Sequence, residues 1–221
     1  MPLLKTLKEK LRPLKNVLAP SDMKKVFIGL KKRGVVLNSL NVLEVFAYTG
    51  ENHAQDYFKL VNSLEAWEIN AVHKAALEKN LPGAKIKIVD SYAEIKSTPN
   101  KFNIIIIDNE MGFFGDNHCE HFEIFPDIFR CLDNSGLIIV NVLTKKDKLA
   151  QEKFSRLFDT AHNKERAEFY QTNTPDNVSF KKMLETYQTI IDKNNYQLEW
   201  CFFQKRLSFL HYLVLKVKKK S

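Results

Sequence analysis

Apolar residues recur along this chain with two different periods, and the change falls near residue 35. In the first stretch, Leu3, Leu4, Leu7, Leu11 and Leu14 sit at helical spacing, with Pro13 placed to kink or split the segment. The turn Ala19-Pro20-Ser21-Asp22 supplies an N-cap for a second helix over residues 23–32, and Gly34 supplies its stop. Short apolar runs follow at 41–46, 64–68, 86–89, 102–107 and 137–142. Helix-like stretches at 51–62, 71–80 and 120–132 separate most of them. Continuous apolar strands alternating with helices predict a parallel sheet covered on both faces. A helix over 178–192 then leads into runs at 196–203 and 209–217, joined by Gln204-Lys205-Arg206. So short a connection makes those two strands antiparallel, because a parallel crossover needs a dozen or more residues. The pattern predicts a mostly parallel, seven-stranded α/β sheet with helices on both faces and a C-terminal antiparallel hairpin. It covers residues 35–221, after a basic helical segment over 1–34. Residues 144–176 read as a polar insertion or long connection before the last helix.

Composition narrows the class. With 44% hydrophobic residues in 221, the chain can bury a sizeable core. Its apolar runs are far shorter than the roughly 20 residues that span a membrane. The N-terminus lacks the apolar region of a secretion signal. Cys119, Cys131 and Cys201 are odd in number and show no CxxC spacing, which suits a reducing cytoplasm rather than a disulfide framework. Charge is uneven: residues 1–40 carry +8, 41–142 carry −7 and 143–221 carry +7. Basic ends suit a polyanion such as RNA, and equally a solvated helix face.

In an open α/β sheet, ligands bind beyond the carboxyl ends of the strands. The loop after the first strand reads Glu44-Val45-Phe46-Ala47-Tyr48-Thr49-Gly50. It resembles the first motif of class I S-adenosylmethionine-dependent methyltransferases, an acidic residue followed by hydrophobic-Gly-x-Gly-x-Gly. Glu44 stands at the acid and Gly50 at the last glycine, while Phe46 and Tyr48 replace the first two. The string Phe-Ala-Tyr-Thr-Gly is similar to a variant in some ribosomal RNA methyltransferases, with Glu51 where a further glycine is usual. The C-terminal hairpin also matches that family, whose fold is Rossmann-like.

The resemblance implies S-adenosylmethionine as cofactor. It assigns the ribose hydroxyls to Glu68, 18 residues past Gly50, and the adenine to Ile69 and to Asp90 with Ser91. Two oxygens of a carboxylate suit two adjacent hydroxyl donors, although the same acid would also suit NAD. Asp90 or Ser91 would equally cap a helix. Asp108 opens the acceptor-side loop, which lacks the Asn/Asp-Pro-Pro-aromatic string of many amino-group methyltransferases. No Cys stands in the context that cytosine C5 methylation needs. The following cluster, Asp116-Asn117-His118-Cys119-Glu120-His121, places His118 and His121 to share a helix face, which alone does not complete a metal site. No catalytic residue is assigned, and His118 is the first choice should a base act. The implied activity is methyl transfer to RNA or a small-molecule acceptor. Aminopropyl transfer, a non-catalytic protein on the same fold, and an NAD-dependent oxidoreductase are the alternatives.

Overall fold

A computed structural model describes residues 21–221, except 52, 110 and 115–117. The helix expected over 3–17 lies outside the described residues. Helix α1, Asp22–Lys32, begins where Ser21 Oγ accepts the Lys24 N–H at 3.0 Å. It stops as the chain turns through Gly34, which has φ +80°.

Strands β1 (Asn41–Glu44), β2 (Ser63–Glu68), β3 (Lys85–Ile88) and β4 (Phe102–Ile107) pair in parallel. Helices α2 (Lys74–Asn80) and α3 (Ser91–Ser97) join them. A two-stranded ribbon, β5 (Phe113–Phe114) and β6 (His118–Cys119), precedes the long β7 (Leu132–Leu143). Helices α4 (Lys148–Lys153), α5 (Thr160–Tyr170) and α6 (Phe180–Lys193) lead to the hairpin β8 (Tyr196–Lys205) and β9 (Leu210–Lys219). The seven-stranded order is β3-β2-β1-β4-β7-β9-β8, with β9 antiparallel to both neighbours. This is the mostly parallel sheet with an antiparallel end that the apolar runs predicted.

Alternation along the strands divides the core. Ile104 and Ile106 of β4 face a cluster with Val26, Phe27 and Leu30 of α1 and Leu77 of α2. Ile105 and Ile107 face the opposite cluster, with Ile95 of α3 and Met183, Tyr187 and Ile191 of α6. Burial on both faces is why β4 reads as an unbroken apolar run.

Two expected helices are not formed. Among the described residues of 51–62 there is a short 3-10 turn, Ala54–Asp56, in place of a helix, and Ala54 and Tyr57 are buried. Residues 120–132 are turns and a 3-10 segment, Ile128–Arg130. Pro126 has no N–H to continue a helix through that aromatic run. The last strand of the parallel set also starts earlier, at Leu132, with a register shift against β4 between Phe102 and Ile104. Among the described residues, no helix is long and apolar enough to cross a membrane.

Candidate functional site

A cavity of about 300 Å³ opens at the carboxyl ends of β1, β4 and β7. Six of the eleven residues expected at the site line it: Glu44, Phe46, Ala47, Tyr48, Gly50 and Asp108.

The β1 loop owes its shape to two left-handed residues. Gly50 has φ +72°, and a Cβ there would lie 2.9 Å from Leu81 Cδ1. Tyr48 adopts φ +49° despite its side chain. The loop thus takes a glycine conformation at a position where a tyrosine stands, which costs roughly 1–2 kcal/mol. The Tyr48 N–H donates to Glu68 Oε2 at 2.9 Å, and its ring packs on His73 with centroids 4.5 Å apart.

Glu44 is buried, and the Tyr57 hydroxyl donates to its Oε2 at 2.6 Å. Tyr57 is in turn stacked on Phe27 of α1. Burial pushes the Glu44 carboxyl up from 4.5 to about 8, against the hydrogen bond from Tyr57 and with the charge of Asp108. Near neutral pH this carboxyl is therefore largely protonated.

Asp108 holds the other side. Arg206 Nη1 donates to its Oδ1 at 2.8 Å, and the Tyr212 hydroxyl donates to its Oδ2 at 2.6 Å. His53 Nε2 lies 3.3 Å from Oδ2 and 3.1 Å from Arg206 Nη2. The guanidinium also covers the Tyr212 ring at 4.4 Å. Asn141, from the end of β7, donates its side-chain N–H to the Asn109 carbonyl at 2.5 Å. Among the described residues, Asn141 Oδ1 has no hydrogen-bond partner.

The remaining five expected residues stand around the cavity rather than in its wall. Glu68 spends one oxygen on Tyr48 N–H and the other on Asn70 N–H, at 2.8 Å. Ile69 is 70% exposed beside Val72 at 73%, an apolar ledge beyond β2. Asp90 caps α3 by accepting the Tyr92 N–H at 2.9 Å, and the buried Ser91 hydroxyl donates to the Val45 carbonyl. The Thr49 carbonyl accepts from Asn80 Nδ2 at 2.9 Å.

His118 and His121 do not share a helix face, since His118 lies on β6 and His121 in the following turn. The His118 ring stacks on Tyr92 at 3.6 Å. His121 is fully buried, with Nε2 2.5 Å from the Tyr187 hydroxyl, and burial lowers it from 6.5 to about 4. Among the described residues, no cluster of three or more metal-ligating side chains occurs.

Sequence reasoning missed most of the far wall. Phe154 and Leu157 come from the insertion, and Arg206, Phe209 and Leu210 from the β8–β9 turn. His53 lies in the stretch expected to be helical. None of these carries a local motif, because the sheet topology brings them together from distant parts of the chain. Arg206 and His53 are separated by 153 residues.

No family model matches the chain, and no curated protein matches it in sequence. Solved structures do share the fold. Trm1 from Pyrococcus horikoshii, solved in complex with S-adenosyl-L-methionine, is 10% identical with a TM-score of 0.64. That match covers 90% of this chain and 54% of Trm1. TYW2 from M. jannaschii, in complex with AdoMet, is 14% identical with a TM-score of 0.52, covering 87% of this chain and 75% of TYW2. The ribosomal protein L11 methylase from Lactobacillus delbrueckii subsp. bulgaricus is 14% identical with a TM-score of 0.50, covering 88% and 77%. The chain thus has the Rossmann-like fold of class I methyltransferases, and it spans about half the length of Trm1.

Proposed function

We propose that this protein is an S-adenosylmethionine-dependent methyltransferase. The observation that carries the proposal is the β1 loop. It keeps left-handed geometry at Tyr48 and Gly50, is tied to the β2 carboxylate, and borders a cavity at the strand ends.

The residues present fit the cofactor. Glu68 uses one acceptor direction per oxygen on backbone N–H groups, which leaves further lone pairs for ribose hydroxyls. The exposed Ile69 and Val72 offer an apolar surface for a purine. Phe46, Ala47 and Gly50 would border the methionyl portion, and the unpartnered Asn141 Oδ1 suits an ammonium donor. Asp90 and Ser91 would back the adenine through their hold on α3 and β1.

When bound, this cofactor supplies an electrophilic methyl group, and the protein must align an acceptor and exclude water. Phe154, Leu157 and Phe209 form an apolar wall that serves the second task. Arg206, held by Asp108, is placed to orient a polar acceptor at the same cavity. RNA is the preferred acceptor class, supported by the basic ends and by likeness in fold to a structure from Pyrococcus horikoshii titled a putative RNA methyltransferase; a small molecule is the alternative.

The test is thermal unfolding with S-adenosylmethionine, its demethylated product, decarboxylated S-adenosylmethionine and NAD. A ligand at ~100 times its dissociation constant adds about 2.7 kcal/mol, roughly 5–10 °C for a domain of this size. A shift with the first two and none with NAD is expected. No shift with any of them would indicate a fold that has lost the site, and a shift with the decarboxylated form alone would favour aminopropyl transfer.

A further inference from the structure

The β8–β9 turn has two sides. Arg206, Phe209 and Leu210 line the central cavity, whereas Lys205, Ser208 and His211 line a separate groove of about 360 Å³. Lys145, Ser179 and Phe180 complete much of its wall. The groove therefore meets the amino end of α6, a helix of 14 residues.

That helix end is electrostatically unusual. Ser179 Oγ accepts one first-turn N–H, from Lys182 at 3.2 Å. No acidic residue stands in the first turn, and Lys181 and Lys182 do. Cations at a helix amino end oppose its dipole, an arrangement that an anion would reverse. Lys145 adds a further charge, partly answered by Asp147 at 3.3 Å. Lys205 adds another and has no ion pair among the described residues.

A second observation is independent of the helix. His211 is only 9% exposed, yet among the described residues its Nδ1 has no hydrogen-bond partner. Its ring packs edge-on against Phe180 at the helix start, with centroids 5.0 Å apart. It also pairs directly with Lys205 across the hairpin. A buried polar ring left unpaired is costly unless a ligand completes it. Donors thus converge on this groove from β8, β9, the β7 exit and α6, and the Asp147 carboxylate reaches its rim through Lys145 and Ser208.

The geometry points to a phosphate-binding site in this groove, occupied by a phosphodiester of the RNA acceptor. Phosphate oxygens would accept from Lys205, Lys145 and the α6 amino end. The identity of the acceptor rests on the methyltransferase reading; the phosphate chemistry does not. Because one turn walls both spaces, a phosphate held by Lys205 fixes the adjoining nucleotide beside Arg206 at the cavity.

The experiment follows the imidazole resonances of His211 by NMR in the full chain. The probes are inorganic phosphate, ribose 5-phosphate and a short single-stranded RNA with a 5′-hydroxyl. Saturable movement of His211 with inorganic phosphate is expected, weakened roughly tenfold in Lys205→Gln, as for one lost charge-assisted contact. RNA binding by the Lys205→Gln variant should show a salt slope shallower by about 0.7, the value for one phosphate on a single strand. Response to the phosphate monoester without response to RNA would overturn the phosphodiester assignment and leave a small phosphorylated acceptor. A still His211 with all three probes, or an unchanged salt slope and affinity, overturns the site. Cofactor-induced thermal shifts are measured alongside. If they are absent while His211 responds, the methyltransferase reading has failed and the groove stands.

Discussion

The Tyr48 backbone N–H donates to Glu68 Oε2 at 2.9 Å, so the carboxylate at the end of β2 holds the left-handed tyrosine of the β1 loop. The two positions are coupled: one carries the strain and the other restrains it. Glu68→Ala removes both that restraint and the proposed ribose acceptor. Cofactor affinity is expected to fall by about 1–3 kcal/mol, the loss of a hydrogen-bonded charged partner, measured by titration calorimetry. Unchanged affinity would remove Glu68 from the site.

Tyr48→Gly should act in the opposite sense on stability. It relieves a left-handed tyrosine worth roughly 1–2 kcal/mol and gives up the ring contact with His73. The net expectation is a gain of about 0.5–1 kcal/mol in urea unfolding. A loss greater than that would show that the ring, not the backbone, dominates at this position.

Glu44 predicts a pH dependence. Its carboxyl is raised by burial from 4.5 to about 8 in the folded state. Between those values the fold binds more protons than the unfolded chain, so stability must fall as pH rises through that window. The slope is at most about 1.4 kcal/mol per pH unit. Glu44→Gln keeps an acceptor for the Tyr57 hydroxyl and carries no ionisable group. Urea unfolding across the window should show the slope in the wild type and its loss in the variant.

These sites show where the sequence was legible. The mostly parallel sheet and its antiparallel end follow from the apolar runs and from the short link before Leu210, because burial on two faces and hairpin closure leave a local imprint. The loop singled out by its resemblance to a family motif, from Glu44 to Gly50, borders the cavity at the strand ends. The helix expected across 51–62 is cut to a single turn, in which the Ala54 carbonyl accepts from Tyr57 and Phe58 N–H while Ala54 and Tyr57 are buried. Arg206 and Phe154 were illegible for a different reason: no pattern in either segment reports that a hairpin turn and an insertion meet at the cavity wall.

Helix α1 alters how the basic N-terminal region can be tested. Met23, Val26, Phe27 and Leu30 are fully or almost fully buried against the sheet. Phe27 also stacks on Tyr57, the partner of Glu44. Deleting residues 1–34 is therefore expected to unfold the protein, since losing even one such side chain costs about 2–5 kcal/mol. Replacing Lys5, Lys8, Lys10 and Arg12 by Gln isolates the charge instead. If these residues contact RNA, the salt dependence of binding flattens while the melting temperature holds. A wild-type salt slope in that variant would make them a solvated face.

The strongest single loss of stability is expected at Arg166. Its Nη1 donates to Glu120 Oε1 at 2.6 Å, its Nη2 to the Leu143 carbonyl at 2.8 Å and its Nε to the Pro175 carbonyl at 2.9 Å. His162 Nε2 lies 2.8 Å from the same Glu120 oxygen, and all three side chains are buried. One guanidinium thus fastens the turn after β6 and the end of β7 to the insertion that walls the cavity. Burial alone would raise the Glu120 carboxyl, but the Arg166 charge and the His162 hydrogen bond hold it down at about 2. Arg166→Met leaves that carboxylate buried without its main counter-charge and should cost about 3–5 kcal/mol. Adding Glu120→Gln should restore part of the loss, a coupling that a double-mutant cycle measures. The pH profile separates this pair from its neighbour. Glu120 contributes stability above 4.5 that is lost as pH falls toward 2, because the unfolded chain binds the proton first. His121, lowered by burial from 6.5 to about 4, acts earlier: stability drains as pH falls through that window. Acid unfolding of His121→Phe should therefore lose the early phase and keep the late one. Arg166→Met should lose the late phase, since its carboxyl is no longer held down. Loss of both phases in both variants would mean that the two groups titrate as one unit.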